Sequence, residues 1–230
     1  MSSNPLELLQ IPLIQWYHAN ARVLPWRSDP KPYHVLVSEI MLQQTRVAAV
    51  LGYYARFMEA LPTMADLAAV EDDRLMKLWQ GLGYYNRARN LKKAAVKIMD
   101  DFGGAFPSRY EDILTLPGVG EYTAGAVASI AFGIPVPAVD GNVLRVVSRL
   151  TGDAADIMKP ETRRRMGAAL RAVMPTEAPG DFNQALMELG ATVCLPNGAP
   201  VCRRCPAADF CTALREERTG ELPVKTPKKE

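Results

Sequence analysis

No stretch of this 230-residue chain is apolar for long enough to cross a membrane as a helix. Its first residues carry neither a basic start nor a small-residue cleavage site, and Glu7 and Gln10 break the apolar pattern, which argues against a secretory leader. These absences predict a soluble protein of the cytoplasm. Apolar–polar alternation never lasts more than a few positions, so long half-buried strands are not expected. No internal repeat is present, which sets aside solenoids and arrays. Cysteine is scarce, with four residues that all fall between Cys194 and Cys211. Aromatics stand at 7% and the net charge is only +2, so composition alone does not announce nucleic acid. A basic face must come from local clustering, and Arg87, Arg89, Lys92 and Lys93 do bunch on one segment.

What the chain does have is helical periodicity. From Glu39 to Leu61 the apolar residues Val47, Val50, Leu51, Tyr54, Phe57, Met58 and Leu61 follow i, i+3, i+4, i+7 spacing. Leu75, Leu78, Trp79 and Leu82 repeat the pattern and run into Gly81 and Gly83, which can close a helix. The segment from Asn86 closes on Gly103 and Gly104, and further helices are predicted over about 122–132, 142–150, 160–174 and 182–193. The class is all-α, and short helices joined by Pro/Gly turns favour an irregular assembly over a long bundle. Apolar residues make up 48% of the chain, enough for one large core or two small ones. The end, "TGELPVKTPKKE", is Lys/Pro-rich and predicts a linker or tail.

Four local features carry chemistry. In "LPGVGEY", Gly118 and Gly120 permit positive φ, so a tight turn can aim backbone N–H groups outward beside a helix start near Glu121. Such a turn seats a phosphate without a basic side chain, although a plain helix connector reads the same way. Glu39 lies among Val35, Leu36, Val37, Ile40, Met41 and Leu42, where poor solvation would raise its pKa and suit it to general-acid work; the bland reading is a solvated Glu on an exposed stripe. Asp140 follows an apolar segment and precedes a helix, so it reads first as an N-cap, and the helix dipole there favours its charged form. The cysteines are spaced C-x7-C-x2-C-x5-C, too crowded for disulfides in a reducing compartment and suited to a metal. With a single C-x2-C pair, the spacing favours a [4Fe–4S] cluster over zinc.

The hairpin turn, the aspartate after it and the cysteine loop together resemble the helix-hairpin-helix DNA glycosylases of the endonuclease III superfamily. Within that group, "VSEIMLQQTRV", "GLGYYNRARNL", "VDGNVLRV" and "FNQALMELGATVC" are similar to the adenine DNA glycosylases of MutY type, and the likeness runs from "LPWR" to Cys211. The resemblance implies a six-helix domain over 22–134, set into a cluster-bearing helical domain of 1–21 and 135–218, with DNA between them and 219–230 as linker or tail. It implies hydrolysis of the glycosidic bond of adenine mispaired with 8-oxoguanine or guanine in duplex DNA, by a monomer acting near the bacterial nucleoid. On that likeness Glu39 protonates the flipped adenine and Asp140 stabilises the sugar cation, with Tyr122 and Asn142 near the chemistry. Trp26, Arg27, Leu42 and Gln184 would contact the adenine. Gln44, Thr45 and Tyr84 would enter the base stack, and Gly118, Val119 and Gly120 would hold a phosphate. Cys194, Cys202, Cys205 and Cys211 would hold the [4Fe–4S] cluster.

Bifunctional relatives place a lysine where Tyr122 stands. A phenol cannot form an imine, so an abasic site without efficient strand cleavage is expected. Two departures from the family accompany the match. The first cysteine gap is one residue longer than usual, and the chain ends within linker-like sequence where the full-length enzymes continue into a lesion-recognition domain, which predicts weakened preference for 8-oxoguanine. Three rival readings are thymine removal from G·T mismatches, a non-catalytic DNA-binding or redox module, and lyase chemistry through Lys92 or Lys93.

Overall fold

A computed structural model describes residues 4–196 and 199–226, so Asn197 and Gly198 in the first cysteine gap, and the last four residues of the predicted tail, lie outside it. Among the described residues every regular element is a helix. In chain order they are α1 (Gln10–Asn20), α2 (Pro25–Ser28), α3 (Pro32–Leu42), α4 (Val47–Ala60), α5 (Met64–Ala69), α6 (Asp72–Trp79) and α7 (Asn86–Asp101). There follow α8 (Tyr110–Leu114), α9 (Glu121–Phe132), α10 (Gly141–Thr151), α11 (Pro160–Val173), α12 (Pro179–Thr192) and α13 (Thr212–Arg215). None is long and apolar enough to span a membrane. The chain divides into two compact units, one continuous over Val23–Phe132 and one built from the described residues of 1–22 and 133–230.

The continuous unit is organised around α3. Pro32 presets its first turn, and Tyr33 and every residue from Val35 to Met41 are buried. A helix buried on all sides needs neighbours all round, and α2, α4, α7 and α9 supply them. The periodicity from Glu39 to Leu61 predicts one helix, but the structure breaks it at Gln43–Arg46, so Glu39 belongs to α3 and the apolar stripe from Val47 to α4. The break has a backbone cause, since Gln44 sits at φ +57° and cannot continue a right-handed helix. Thr63 and Asp66 form a reciprocal capping box that starts α5.

The discontinuous unit is organised around α10. Val143 to Leu150 are all buried, Asp140 caps the start, and Gly152 at φ +70° ends it. Leu6, Leu9, Leu13 and Tyr17 join the same core as Phe182, Leu186 and Leu189, which fastens the N-terminal segment onto α12. Arg22 completes that join, donating from Nε (2.6 Å) and Nη2 (2.8 Å) to the two oxygens of the fully buried Glu188 carboxylate. Without such a fork, a charge at that depth would be strongly destabilising.

Two expectations change here. The stretch from Thr219 to Thr226 is not a free tail: Leu222 is buried, its carbonyl accepts from Arg149 Nε (2.8 Å), and Thr226 donates to the Asp156 carboxylate. Its Lys/Pro content masks that single anchoring leucine. The basic cluster on α7 is also smaller than its sequence suggests. Arg87 is buried and Lys92 pairs with Asp72 at 2.5 Å, which leaves Arg89 and Lys93 of the four as outward cations.

Gly190 lets α12 lie directly on the start of α10. A Cβ there would come 2.6 Å from Asn142 Cβ and 3.2 Å from its Cα, and backbone cannot move aside cheaply. Gly190→Ala is therefore expected to destabilise the fold by about 1–3 kcal/mol, a fall in melting temperature of roughly 2–10 °C for a chain of this size. Thermal unfolding followed by circular dichroism reads it, and an unchanged midpoint would show that α10 and α12 have slack.

Candidate active site and cysteine pocket

Glu39 occupies the third turn of α3 and is only 6% exposed. The Tyr122 hydroxyl, from the first turn of α9, donates to Glu39 Oε2 at 2.6 Å. A short bond of this kind fixes the carboxyl's orientation. The solvated-stripe reading of Glu39 is thus replaced by a buried, oriented acid. Nearby in sequence, Leu42 ends α3 half-buried, and Gln43 Nε2 lies 3.4 Å from Thr123 Oγ1 on α9. Trp26 is buried edge-on against Tyr54, ring centroids 5.2 Å apart, and Arg27 is half-buried beside it in α2.

The turn between α8 and α9 matches its sequence in part. Gly118 is at φ +78°, and a Cβ there would meet Asn90 Cβ at 2.7 Å, so the position requires glycine twice over. Gly120 has no positive φ; its carbonyl instead accepts from Ala124 N–H at 2.9 Å in the first turn of α9. Val119 is buried and its N–H is spent on the Leu116 carbonyl. Any anion at this turn is therefore met by the first amides of α9 rather than by the amide of Val119.

Gln44 and Tyr84 face a common open depression whose lining also includes Gln43, Tyr85, Asn86 and Arg87. Tyr84 is 60% exposed, unusual for a tyrosine without a surface role, and Thr45 lies half-buried next to Gln44. Arg87 lies beneath this group, and sequence reading misplaces it among surface cations. Its guanidinium donates to the carbonyls of Ile40, Met41, Gln43, Leu82 and Gly83 and to Thr45 Oγ1. The signal that marks it in the sequence is weak: an arginine at the first turn of a helix whose buried face carries Ala88, Leu91, Ala94, Ala95 and Ile98.

In the discontinuous unit Asp140 caps α10 as predicted, with Oδ1 accepting from Val143 N–H (2.8 Å) and Oδ2 from Asn142 Nδ2 (2.8 Å). Its titration departs from the sequence expectation. Burial pushes the carboxyl above its ordinary value, outweighing the lowering by the Val143 amide, Asn142 and the charge of Arg145. The segment that delivers Asp140 is held by Asn183, another residue that sequence reading passes over. Buried in α12, it donates to Val136 O (2.8 Å) and accepts from Ala138 N–H (3.0 Å). A polar amide within an apolar helical run is the visible clue. Gln184 follows it, half-buried on α12.

From Asp140 a chain of bonds runs to the cysteine loop. Asn142 Oδ1 accepts from Arg145 Nη2 (2.9 Å), while Arg145 Nε donates to Cys194 O (2.8 Å) and Nη2 also to Gly190 O (2.8 Å). One turn on, Arg149 is 4% exposed and its Nη1 reaches Cys194 Sγ (3.3 Å) and Leu195 O (2.8 Å).

All four cysteines line one pocket of about 320 Å³, counted to its open mouth, with Arg149, Val193, Pro200, Ala208 and Leu214 among the other walls. Among the described residues no group of three or more His, Cys, Asp or Glu side chains is placed to hold a single metal ion. Burial pushes the free Cys205 thiol up to about 12 and raises those of Cys202 and Cys211. Four sulfurs round one cavity, with a buried guanidinium on one of them to offset thiolate charge, fit a polynuclear iron–sulfur centre.

These features coincide with a known family. Residues 37–172 match the HhH-GPD superfamily of base excision DNA repair proteins. The chain belongs to that superfamily. It is 44% identical over 219 residues to the adenine DNA glycosylase of Mus musculus, a match covering 91% of this chain and 42% of the mouse protein, so it spans less than half of that relative's length. Among solved structures it is similar to a thermostable thymine-DNA glycosylase (TM-score 0.82, 27% identity, 92% of this chain and 97% of that one). It is also similar to endonuclease III from a non-covalent DNA complex (TM-score 0.74, 25% identity, 92% and 97%). All-α architecture in a helix-hairpin-helix glycosylase fold is thus what both the helices and the family describe.

The raised carboxyl of Asp140 gives a pH test. The folded state binds this proton more tightly than the unfolded chain, so the group's contribution is most favourable below the unfolded value near 4 and is lost as pH rises through the higher folded value. Asp140→Asn keeps a good N-cap without the charge. Relative to Asp140→Asn, the parent's unfolding free energy is expected to fall as pH is raised above about 4. Urea titrations at several pH values measure it; a difference that is flat or rises with pH would mean that hydrogen bonding, not burial, governs Asp140.

Proposed function

We propose that this chain hydrolyses the N-glycosidic bond of adenine mispaired with 8-oxoguanine or guanine in duplex DNA, leaving an abasic site and no strand break. The observation that carries the reading is Glu39, buried in the central helix and held by the Tyr122 hydroxyl. In that setting its carboxyl can deliver a proton to the departing base. The similarity to adenine DNA glycosylases supports adenine as that base. Tyr122 supports the absence of a lyase step, since a phenol offers no amine for imine formation.

The other residues take roles suited to their settings. Asp140, aimed by Val143 and Asn142, stands for the carboxylate that answers the positive charge developing at the sugar as the bond breaks. Water then adds to the sugar carbon, and the proton balance closes through the carboxylates. Trp26, Arg27, Leu42 and Gln184 are the adenine contacts in this reading, and Gln44, Thr45 and Tyr84 fill the stack. The α8–α9 turn holds a backbone phosphate at the amides that open α9. Cys194, Cys202, Cys205 and Cys211 hold a [4Fe–4S] cluster, which braces the loop and supplies no group to the hydrolysis. A monomer acting on mismatched DNA near the nucleoid completes the proposal.

One comparison favours a second reading. The structural likeness to a thymine-DNA glycosylase makes thymine opposite guanine the substrate to test against. Single-turnover base release on duplexes carrying A opposite 8-oxoguanine, A opposite G, and T opposite G, each quenched with and without hot alkali, separates them. The expected result is breaks only after alkali and only from the A-containing mismatches, with Glu39→Gln slowing release by about 10³-fold or more, the combined scale of a lost acid and lost charge placement. Release from T opposite G alone would move the assignment to thymine. Binding without release by iron-loaded protein would reduce the chain to a DNA-binding module.

A further inference from the structure

Gln44 and Tyr84 share an uncommon property: both have positive φ, at +57° and +49°. Side chains larger than glycine adopt that conformation only when something over-determines it. Arg87 supplies the constraint on both sides at once. Around Gln44 its guanidinium holds the carbonyl of Gln43 and the hydroxyl of Thr45, together with the last carbonyls of α3 at Ile40 and Met41 (3.1 and 2.9 Å). Before Tyr84 it holds the carbonyls of Leu82 (3.1 Å) and Gly83 (3.2 Å), and its carbon lies 5.3 Å from the Tyr84 ring centroid. Trp79 closes the other flank, with its ring centroid 5.6 Å away and its Nε1 donating to the same Gly83 carbonyl (3.0 Å). The guanidinium's Nε–H finds no acceptor among the described residues. The buried fork is therefore fitted to the two loops through its outer nitrogens, and a compact ammonium could not span them.

We propose that Arg87 is the positioning residue that locks Gln44 and Tyr84 into a preset pair, ready to enter an opened base stack in duplex DNA. The proposal rests on the glycosylase reading for its ligand and goes beyond it in assigning the lock. A pair already ordered before DNA arrives spends no binding energy on ordering itself, so its stacking appears in full as preference for a duplex that opens easily.

The test has two parts. Binding of a duplex with A opposite 8-oxoguanine is compared with that of the same duplex carrying A opposite T, in a Glu39→Gln background, alongside 2-aminopurine fluorescence at the target base. Arg87→Lys is expected to lose about tenfold of the mismatch preference, the scale of one base–aromatic stack, and to blunt the fluorescence rise. Added to Gln44→Ala/Tyr84→Ala it should cost no further preference, because it acts through those two residues. Full preference in Arg87→Lys, or a loss that multiplies in the triple variant, overturns the proposal. Hydrogen exchange on the unaltered protein covers the case in which Arg87→Lys fails to fold. Amides of 42–46 and 82–86 should be protected before DNA is added, and exchange at unprotected rates until DNA binds would overturn the lock. If the unaltered protein neither prefers the mismatch nor releases adenine, the glycosylase reading falls, while the exchange data still report on Arg87.

Discussion

The last carbonyls of an α-helix have no partner within it, and in both units of this protein a buried guanidinium takes them. Arg87 collects the end of α3, and Arg145 and Arg149 collect the end of α12 and the residues just past it. Capping by arginine differs from capping by glycine in what it permits next. A glycine turns the chain sharply and leaves it to solvent, whereas a planar fork gathers several carbonyls and obliges the following loop to pack around it. Both loops held this way carry candidate chemistry, Gln44 after α3 and Cys194 after α12. Their irregular backbone is affordable because its polar groups are answered from below rather than by water.

The two candidate acids follow the same division between a rigid helix and a held loop. Glu39 sits within α3, so its backbone is fixed and only its carboxyl needs orienting, to which the Tyr122 hydroxyl contributes a 2.6 Å bond. Asp140 sits at the junction of loop and helix and needs more. Asn183 fixes the approach at Val136 and Ala138, the Val143 amide fixes one oxygen, and Asn142 fixes the other. Asn142 is itself held by Arg145, which grips Cys194 O with a different nitrogen. Placement of this acid and anchorage of the cysteine loop are thereby one structural problem with a shared residue. A disturbance of the loop has a route through Cys194 O, Arg145 and Asn142 to the carboxylate, all of them buried or half-buried.

Sequence reading recovered what depends on local pattern. The helical periods, the N-cap at Asp140, the positive φ at Gly118 and the clustering of the four cysteines are each dictated by residues within a few positions of one another. It missed what depends on partners far along the chain. Arg87, Arg145, Arg149 and Glu188 look like surface charges by type, and only the tertiary structure shows that carbonyls and Arg22 bury them. The break between α3 and α4 was hidden because Arg87, which holds it, lies more than forty residues away, while the local stripe favoured continuity. Leu222 misled in the opposite sense, as one apolar residue in a polar stretch reads as a linker until its contacts are seen. Asp140 was read correctly in place, but its proton affinity is raised where the dipole alone predicts the opposite, because the dipole is visible from sequence and desolvation is not.

The raised proton affinity of Asp140 bears on mechanism. The burial that raises Asp140's proton affinity also limits the water that can screen it, so a positive charge brought beside it interacts at a lower effective dielectric than in bulk water. In the protein alone this is a cost, because the hydrogen bonds from Val143 and Asn142 do not fully compensate the lost solvation of the anion. On the glycosylase reading, the sugar becomes cationic as the base departs, and the same poor solvation then strengthens attraction in the transition state more than in the ground state, where the sugar is neutral. Interaction that grows along the reaction coordinate lowers the barrier, whereas uniform binding does not. A well-solvated aspartate with an ordinary pKa would be cheaper to fold and weaker at this task. The network of Asn142, Val143 and Arg145 can therefore be understood as holding a deliberately uncomfortable charge in place, at a position where comfort would cost rate.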